Sequence, residues 1–209
     1  WIYTGLILTG VLLSVTMKVF PGWYSFVFNT ESRRLVRQAE AIHLLEWVKT
    51  EYKKSPEARN YDSCAYYLQK AADLDEENQD VLIYLSDALY HTMTQDGIEL
   101  SGLTYNGIAL ASEANEKLLA INPEYKNDSL RIDPHIQHTV LWGELALYYT
   151  AEGKSDSALI ALKEGRKRGA FNDVLLECTR NTMNSCDMSS ILFMTIDFTY
   201  YPVLYLQQI

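Results

Sequence analysis

Two histidines stand at a spacing that could place both imidazoles on one metal ion. His135 and His138 lie close to Asp133 in the sequence, and imidazole and carboxylate groups are common zinc ligands. No other residue supplies a convincing further ligand, and a zinc site needs at least three from the protein. We therefore expect these residues to lie in a polar loop and predict no metal and no cofactor. His43 and His91 are expected to be isolated helix residues.

The three cysteines do not form a metal or dithiol motif. Cys64, Cys178 and Cys186 contain no C-x-x-C pair, so neither a zinc ribbon nor a thioredoxin-type dithiol is indicated. An odd number leaves at least one thiol free. Cys178 and Cys186 either pair in an oxidising compartment or remain two half-buried thiols, and the sequence leaves both arrangements open.

No combination of side chains indicates catalysis. The chain has no paired nucleophile and base and no glycine-rich loop that would cradle a phosphate. We therefore predict no catalytic residues among the 209 residues of the sequence.

The charge balance argues against nucleic acid as a partner. The chain has 27 acidic and 18 basic residues and a net charge of -9, whereas phosphate recognition needs a basic surface. The basic clusters are short and are expected to be solvated helix faces: Arg33, Arg34 and Arg37, and Arg166, Lys167 and Arg168. A composition of 48% hydrophobic and 22% charged residues predicts a folded chain with a core.

The first twenty residues predict a membrane span. Residues 1–20 are apolar except for Lys18 near their end, and about 20 apolar residues are enough to cross a bilayer as a helix. Pro21 and Gly22 are expected to end this helix, and Trp23 and Tyr24 are typical of the membrane interface. The sequence therefore predicts a transmembrane helix over 1–20 and an interfacial linker over 21–30.

The same region also bears on how the protein continues before residue 1 and on which side of the membrane the following residues lie. Without an initiator methionine, the sequence is expected to begin inside a longer protein that carries earlier spans. The basic residues Lys18, Arg33, Arg34 and Arg37 favour a cytoplasmic location for the residues after the span, by the positive-inside rule. Only one flank of the span is visible, so the side of the membrane stays open.

Helical periodicity dominates the remainder of the chain. Residues 31–54 place apolar side chains at intervals of three and four, the period of a helix with one buried face, and Ser55-Pro56 is expected to end it. Residues 139–172 read as two helices of similar length around a turn at Gly153. This is the pattern of a helical hairpin repeat.

This hairpin resembles the tetratricopeptide (TPR) repeat. The resemblance lies in the order of aromatic, large and small residues: Trp142, Leu145, Ala146, Tyr149, Gly153, Ala158, Leu162 and Gly165. The family closes this pattern with a proline, and this chain has Ala170 there. It implies that the small residues let two helices approach closely while Trp142, Tyr149 and Leu162 fill the space between neighbouring hairpins. These eight residues are our predicted repeat-packing set.

A second, stretched copy precedes it. Residues 68–75 resemble the end of one repeat, 82–89 the start of the next, and 108–121 its second helix, which closes on Asn122-Pro123 as in the family. Residues 94–107 and 125–138 are read as insertions, which often form loops on the binding face. The resemblance covers about 60–172 and implies a TPR-like α-solenoid of about three hairpins within residues 31–180.

The tail, residues 181–209, departs from the repeat pattern. Residues 191–196 are apolar and predict a short strand, Asp197 follows, and residues 199–209 can form a helix with Pro202 in its first turn. This is either the start of a further α/β domain or an element packed on the solenoid. Asp197 stands where such domains place a ligand-binding carboxylate.

The tail also resembles the soluble C-terminal region of bacterial multi-pass membrane proteins related to protein O-mannosyltransferases. The shared positions are Asn181 to Cys186, Ile191, Leu192, Phe193, Asp197, Tyr201, Pro202, Tyr205, Leu206 and Gln207. Ile196, Phe198 and Thr199 replace a glycine, an asparagine and a second aspartate of the family. The loss of one carboxylate and of the glycine makes Asp197 at most the remnant of a polar site.

These patterns predict an all-α protein with one transmembrane helix, a TPR-like solenoid and a short strand-helix tail. The function that fits best is a scaffold in the bacterial inner membrane that docks a helix or peptide of a partner protein in the solenoid groove. The tail resemblance favours a periplasmic location. Two alternatives stay open: the C-terminal part of a lipid-sugar-dependent glycosyltransferase, and a permanent structural subunit of a membrane assembly.

Overall fold

A computed structural model describes residues 21–94, 100–127, 129–130, 132–187 and 197–209, with only the backbone described at 21–28 and 197–198. Within these residues the chain forms eight α-helices and a single isolated β-bridge between Asn127 and Ile132. The helices are α1 (Pro21–Tyr52), α2 (Tyr61–Leu74), α3 (Gln79–Thr94), α4 (Tyr105–Ile121), α5 (Pro134–Ala151), α6 (Ser155–Lys167), α7 (Asp173–Asn184) and α8 (Asp197–Gln208). The described chain is therefore all-α.

Side-chain caps fix where several helices begin. The first backbone N–H groups of a helix have no partner within it, and a side-chain oxygen just before the helix can accept from them. Five helices, α2, α3, α4, α5 and α7, begin in this way, with the cap residues Asn60, Asn78, Thr104, Asp133 and Asn172. These polar residues stop each helix from extending backwards into the preceding loop.

From α1 to α6, each helix packs against the next one in the chain. One group of buried apolar residues lies among α1, α2, α3 and the end of α4, and a second lies among α4, α5, α6, α7 and α8. Helix α8 packs on both α5 and α7, so the tail helix closes onto the helical stack. Pro202 lies inside this helix rather than in its first turn.

The interfacial linker predicted over 21–30 is helical. Helix α1 begins at Pro21, because proline is well tolerated at the first helical position, where its missing N–H would have no partner. Gly22 does not break the helix either. The predicted end at Ser55-Pro56 is close, since α1 ends at Tyr52 and Pro56–Ala58 form a short 3-10 turn.

The polar loop predicted around the histidines is also wrong. Helix α5 begins at Pro134, so His135 and His138 both lie on it. His138 is only 2% exposed. The aspartate at 133 accepts hydrogen bonds from the backbone N–H groups of His135 and Ile136, so its carboxylate caps the helix.

The predicted transmembrane helix over 1–20 and the predicted strand over 191–196 lie outside the described residues. No helix in the described part of the chain combines the length and the apolar character that a membrane span requires.

Candidate partner-binding groove

The predicted repeat-packing residues come together between α5 and α6. All of them except Tyr149 and Gly153 are buried, Tyr149 is half-buried, and Gly153 forms the turn with a φ of 69°. A Cβ atom on Gly165 would lie 2.6 Å from the Cβ of Trp142. Helices α5 and α6 are therefore in close contact at Gly165.

A buried polar cluster supports Trp142. Its Nε1 donates to Ser112 Oγ at 2.9 Å, and Ser112 Oγ in turn donates to Glu116 at 3.0 Å. His138 Nε2 lies 3.3 Å from the same hydroxyl. Burial lowers the pKa of His138 to about 4, so its imidazole is neutral near pH 7.

This serine and histidine do not form a catalytic pair. Ser112 is fully buried and His138 is 2% exposed, so a substrate has no path to the hydroxyl. The hydroxyl is already bound by Glu116 and Trp142. The cluster ties α4 to α5, and its role is structural.

A groove runs along the face formed by α1, α3 and α5. Its larger pocket, about 620 Å³, is lined from α1, α3 and the residues just before α5, and its smaller pocket, about 280 Å³, from α3 and α5. Asp87 and Ile132 line both pockets, so the two are adjacent. None of the lining residues of either pocket belongs to α2, α4 or α6.

Tyrosine–carboxylate hydrogen bonds hold this face together. Tyr52 of α1 donates to Asp87 of α3 at 2.8 Å, and Tyr90 of α3 donates to Glu144 of α5 at 2.7 Å. Tyr201 of α8 donates to the other oxygen of Glu144 at 3.4 Å. These hydrogen bonds join α1 to α3, α3 to α5, and α5 to α8. The helices that line the groove are therefore held together by direct contacts.

Helix α8 packs closely on α5 because α5 has a glycine where the two helices meet. A Cβ atom on Gly143 would overlap the Cβ and Cγ atoms of Tyr201, so no other residue fits there without a shift. The side chain of Asp197, the predicted remnant of a polar site, lies outside the described residues.

The two pockets differ in character. The larger pocket has Lys49, Lys53 and Arg59 in its lining together with Glu46 and Asp87. Lys49 is bound to Asp80 at 3.0 Å, whereas the exposed Lys53 makes no ion pair with any described residue. Arg59 lies 5.0 Å over the Tyr52 ring.

The smaller pocket is more apolar. Its lining includes Tyr90 and four aliphatic side chains, namely Ile132, Ile136, Val140 and Leu141. Ile136 is 42% exposed and stands at the rim. Together the pockets offer one apolar and one mixed-charge subsite along a single groove.

The three cysteines are not paired in disulfides. Cys64 is buried, Cys178 is exposed and Cys186 is half-buried, and all three are free. Across the described residues, no group of three or more His, Cys, Asp or Glu side chains is arranged to hold a metal ion.

Comparison with protein-family models, with curated proteins and with solved structures gives no match.

Proposed function

We propose that this chain is a membrane-anchored, TPR-like scaffold that docks a helix or extended segment of a partner protein in the groove of α1, α3 and α5. The observation that carries the proposal is that two adjacent pockets are lined by alternate helices and by the segment before α5. A repeat stack that presents one helix of each hairpin to a common groove is suited to binding a long, narrow ligand.

The wall of the groove supports this role. The hydrogen bonds from Tyr52, Tyr90 and Tyr201 fix neighbouring helices before any ligand arrives. A preorganised site loses less conformational entropy when it binds. The apolar pocket beside Ile136 gives an anchor side chain a place to bury, which is how most interfaces gain their affinity.

The anchor and the location are proposed from the sequence. In the sequence, the apolar run over 1–20 is followed directly by α1. Helix α1 would therefore connect the membrane anchor to the groove. The tail resemblance to bacterial membrane proteins favours an envelope complex in the inner membrane, with the periplasmic side preferred.

A permanent structural subunit is the second candidate, because apolar side chains are exposed outside the groove as well. Leu35 and Val36 on α1 are 56% and 66% exposed, and Tyr66 on α2 is 68% exposed. A permanent interface would cover these residues. A transient one in the groove would leave them free.

The Ile136→Asp substitution separates the two candidates. A charge at the rim of the apolar pocket is expected to cost at least about 2 kcal/mol of partner binding, roughly a 30-fold loss of affinity. The measurement is co-purification from bacterial membranes, quantified by mass spectrometry against the tagged chain. Ile160→Asp is the matched control, since Ile160 is 57% exposed on α6 and lies outside the groove. Equal recovery with both variants would refute docking in the groove.

A further inference from the structure

The larger pocket of the groove has more cationic side chains than carboxylates in its lining. With histidine counted as neutral, the charged groups are the basic side chains of Lys49, Lys53 and Arg59 and the carboxylates of Glu46 and Asp87. This positive excess stands in a chain whose net charge is -9. Since charges across an interface are arranged to be complementary, a segment that matches this pocket is acidic rather than basic.

Part of this charge is already balanced inside the protein. Lys49 Nζ lies 3.0 Å from a carboxylate oxygen of Asp80 and 3.3 Å from one of Glu46. Asp87 accepts a hydrogen bond from the Tyr52 hydroxyl at 2.8 Å. The two cations of the pocket that remain are on the residues that follow α1.

Arg59 is held in the lining of the pocket by neutral groups. Its guanidinium donates to the backbone carbonyl of Tyr52 at 2.8 Å, to that of Lys54 at 3.1 Å and to the Tyr61 hydroxyl at 3.2 Å. A guanidinium has five N–H groups, so these three bonds leave two. Arg59 forms no ion pair with a carboxylate of the described residues. Its charge is therefore fixed in position and not neutralised by a direct partner.

Lys53 is the second cation of the pocket without an ion pair among the described residues. The carboxylate of Glu51, on the preceding turn of α1, is engaged elsewhere. One of its oxygens lies 2.7 Å from Lys54 Nζ, and the other accepts from the backbone N–H of Asn60 at 3.2 Å. A fixed guanidinium and an ammonium on a flexible stem can therefore both reach an anionic group in the pocket.

We propose that the partner segment carries an aspartate or glutamate that binds Lys53 and Arg59 in the larger pocket, together with an apolar residue that fills the smaller pocket beside Ile136. The inference rests on the proposed function and specifies its ligand. The two pockets are adjacent, so one segment reaches both. Charge-assisted hydrogen bonds to a guanidinium are directional as well as strong, so the acidic residue fixes which end of the segment lies towards α1.

The test uses the purified full chain in detergent and a defined probe. Random peptides about twelve residues long are selected on the chain by phage display. The enriched sequences are then synthesised with a fluorescein label, and their binding is followed by fluorescence polarisation. The enriched peptides are expected to share an acidic residue and a large apolar residue at a constant separation. Replacing the acidic residue by its amide is expected to weaken binding about fivefold, a typical loss for an ion pair at a partly exposed site.

Two charge reversals locate the contact. Lys53→Glu replaces an attraction by a repulsion and is expected to weaken binding of the acidic peptide about tenfold. Lys163→Glu, on the exposed face of α6, is the matched control and is expected to change binding less than about twofold. The amide peptide should bind the Lys53→Glu variant and the unaltered chain equally well, because the interaction energy of a contacting pair is lost once either partner is removed.

Arg59→Gln tests the second cation. Its amide can still donate to a carbonyl at the end of α1, and circular dichroism checks that the helices are retained. The inference is wrong if selection enriches no acidic residue, or if Lys53→Glu and Lys163→Glu lower the affinity equally. Failure of this inference is distinct from failure of the proposed function, because the Ile136→Asp comparison tests partner recovery without reference to an acidic residue.

Discussion

Replacing Trp142 with alanine is expected to lower the free energy of unfolding by about 4 kcal/mol, a typical loss for a buried aromatic side chain. The indole is fully buried and donates to Ser112. Its ring packs edge-on against Tyr105 at 5.6 Å and lies under the Arg168 guanidinium at 5.6 Å. The cavity cannot collapse easily because Gly165 has no side chain to fill it. Urea unfolding followed by circular dichroism measures the change.

Trp47→Ala is the control for this experiment. Trp47 is 41% exposed, and its one described ring contact is with Tyr67 at 4.7 Å. A loss of no more than about 1 kcal/mol is expected there, as for other partly exposed positions. If the free energy of unfolding falls by the same amount in both variants, Trp142 does not organise the packing of α5 on α6 and α4.

Acidification is expected to destabilise the fold through His138. Burial lowers its pKa from 6.5 to about 4, so the folded state binds the proton less readily than the unfolded chain. The contribution of neutral His138 to the free energy of unfolding is fully present above pH 6.5 and is lost as the pH falls towards 4. The shift corresponds to a loss of about 3 kcal/mol over that window.

Thermal unfolding at a series of pH values between 7.5 and 4 measures this dependence. A His138→Gln variant, whose amide can still reach Ser112, is expected to be less stable near pH 7 and to show a flatter pH profile. His135→Gln, on the exposed side of the same helix, is the control for the loss of an imidazole, and its profile is compared with that of the His138 variant. An unaltered slope in the His138 variant would show that other groups set the acid sensitivity.

Local signals predicted much of the helical hairpin. The spacing of Trp142, Ala146, Ala158 and Gly165 predicted close helix packing. All four are buried on α5 and α6, and Gly165 lies directly against Trp142. The periodic stretches around 82–89 and 108–121 are helical as expected. Such patterns are predictive because the residues that pack together are only a few helical turns apart in the sequence.

The error at the histidines had a visible cause. Asp133 followed by Pro134 is a helix-start signature, since aspartate caps and proline suits the first turn. Interpreting 125–138 as an insertion before the repeat placed the helix start too late, because α5 begins at Pro134. The same preference of proline for the first turn explains why α1 begins at Pro21.

The groove could not be predicted from spacing. The residues that tie its helices together are far apart in sequence: Tyr52 and Asp87 by 35 positions, Tyr90 and Glu144 by 54, and Tyr201 and Glu144 by 57. No periodic pattern links residues at such separations, because their contact depends on how complete helices pack. The position of Ile132, which lines both pockets, depends in the same way on the fold of the connection between α4 and α5.

Photo-crosslinking in intact bacterial membranes tests most directly whether partners dock in the groove. A photoreactive amino acid is placed at Val140 or Lys53, which line the groove, or at Lys163, which is exposed on α6. Docking in the groove predicts that Val140 and Lys53 crosslink to the same protein and that Lys163 does not. Crosslinks from Lys163 alone, or equal yields from all three positions, would contradict it.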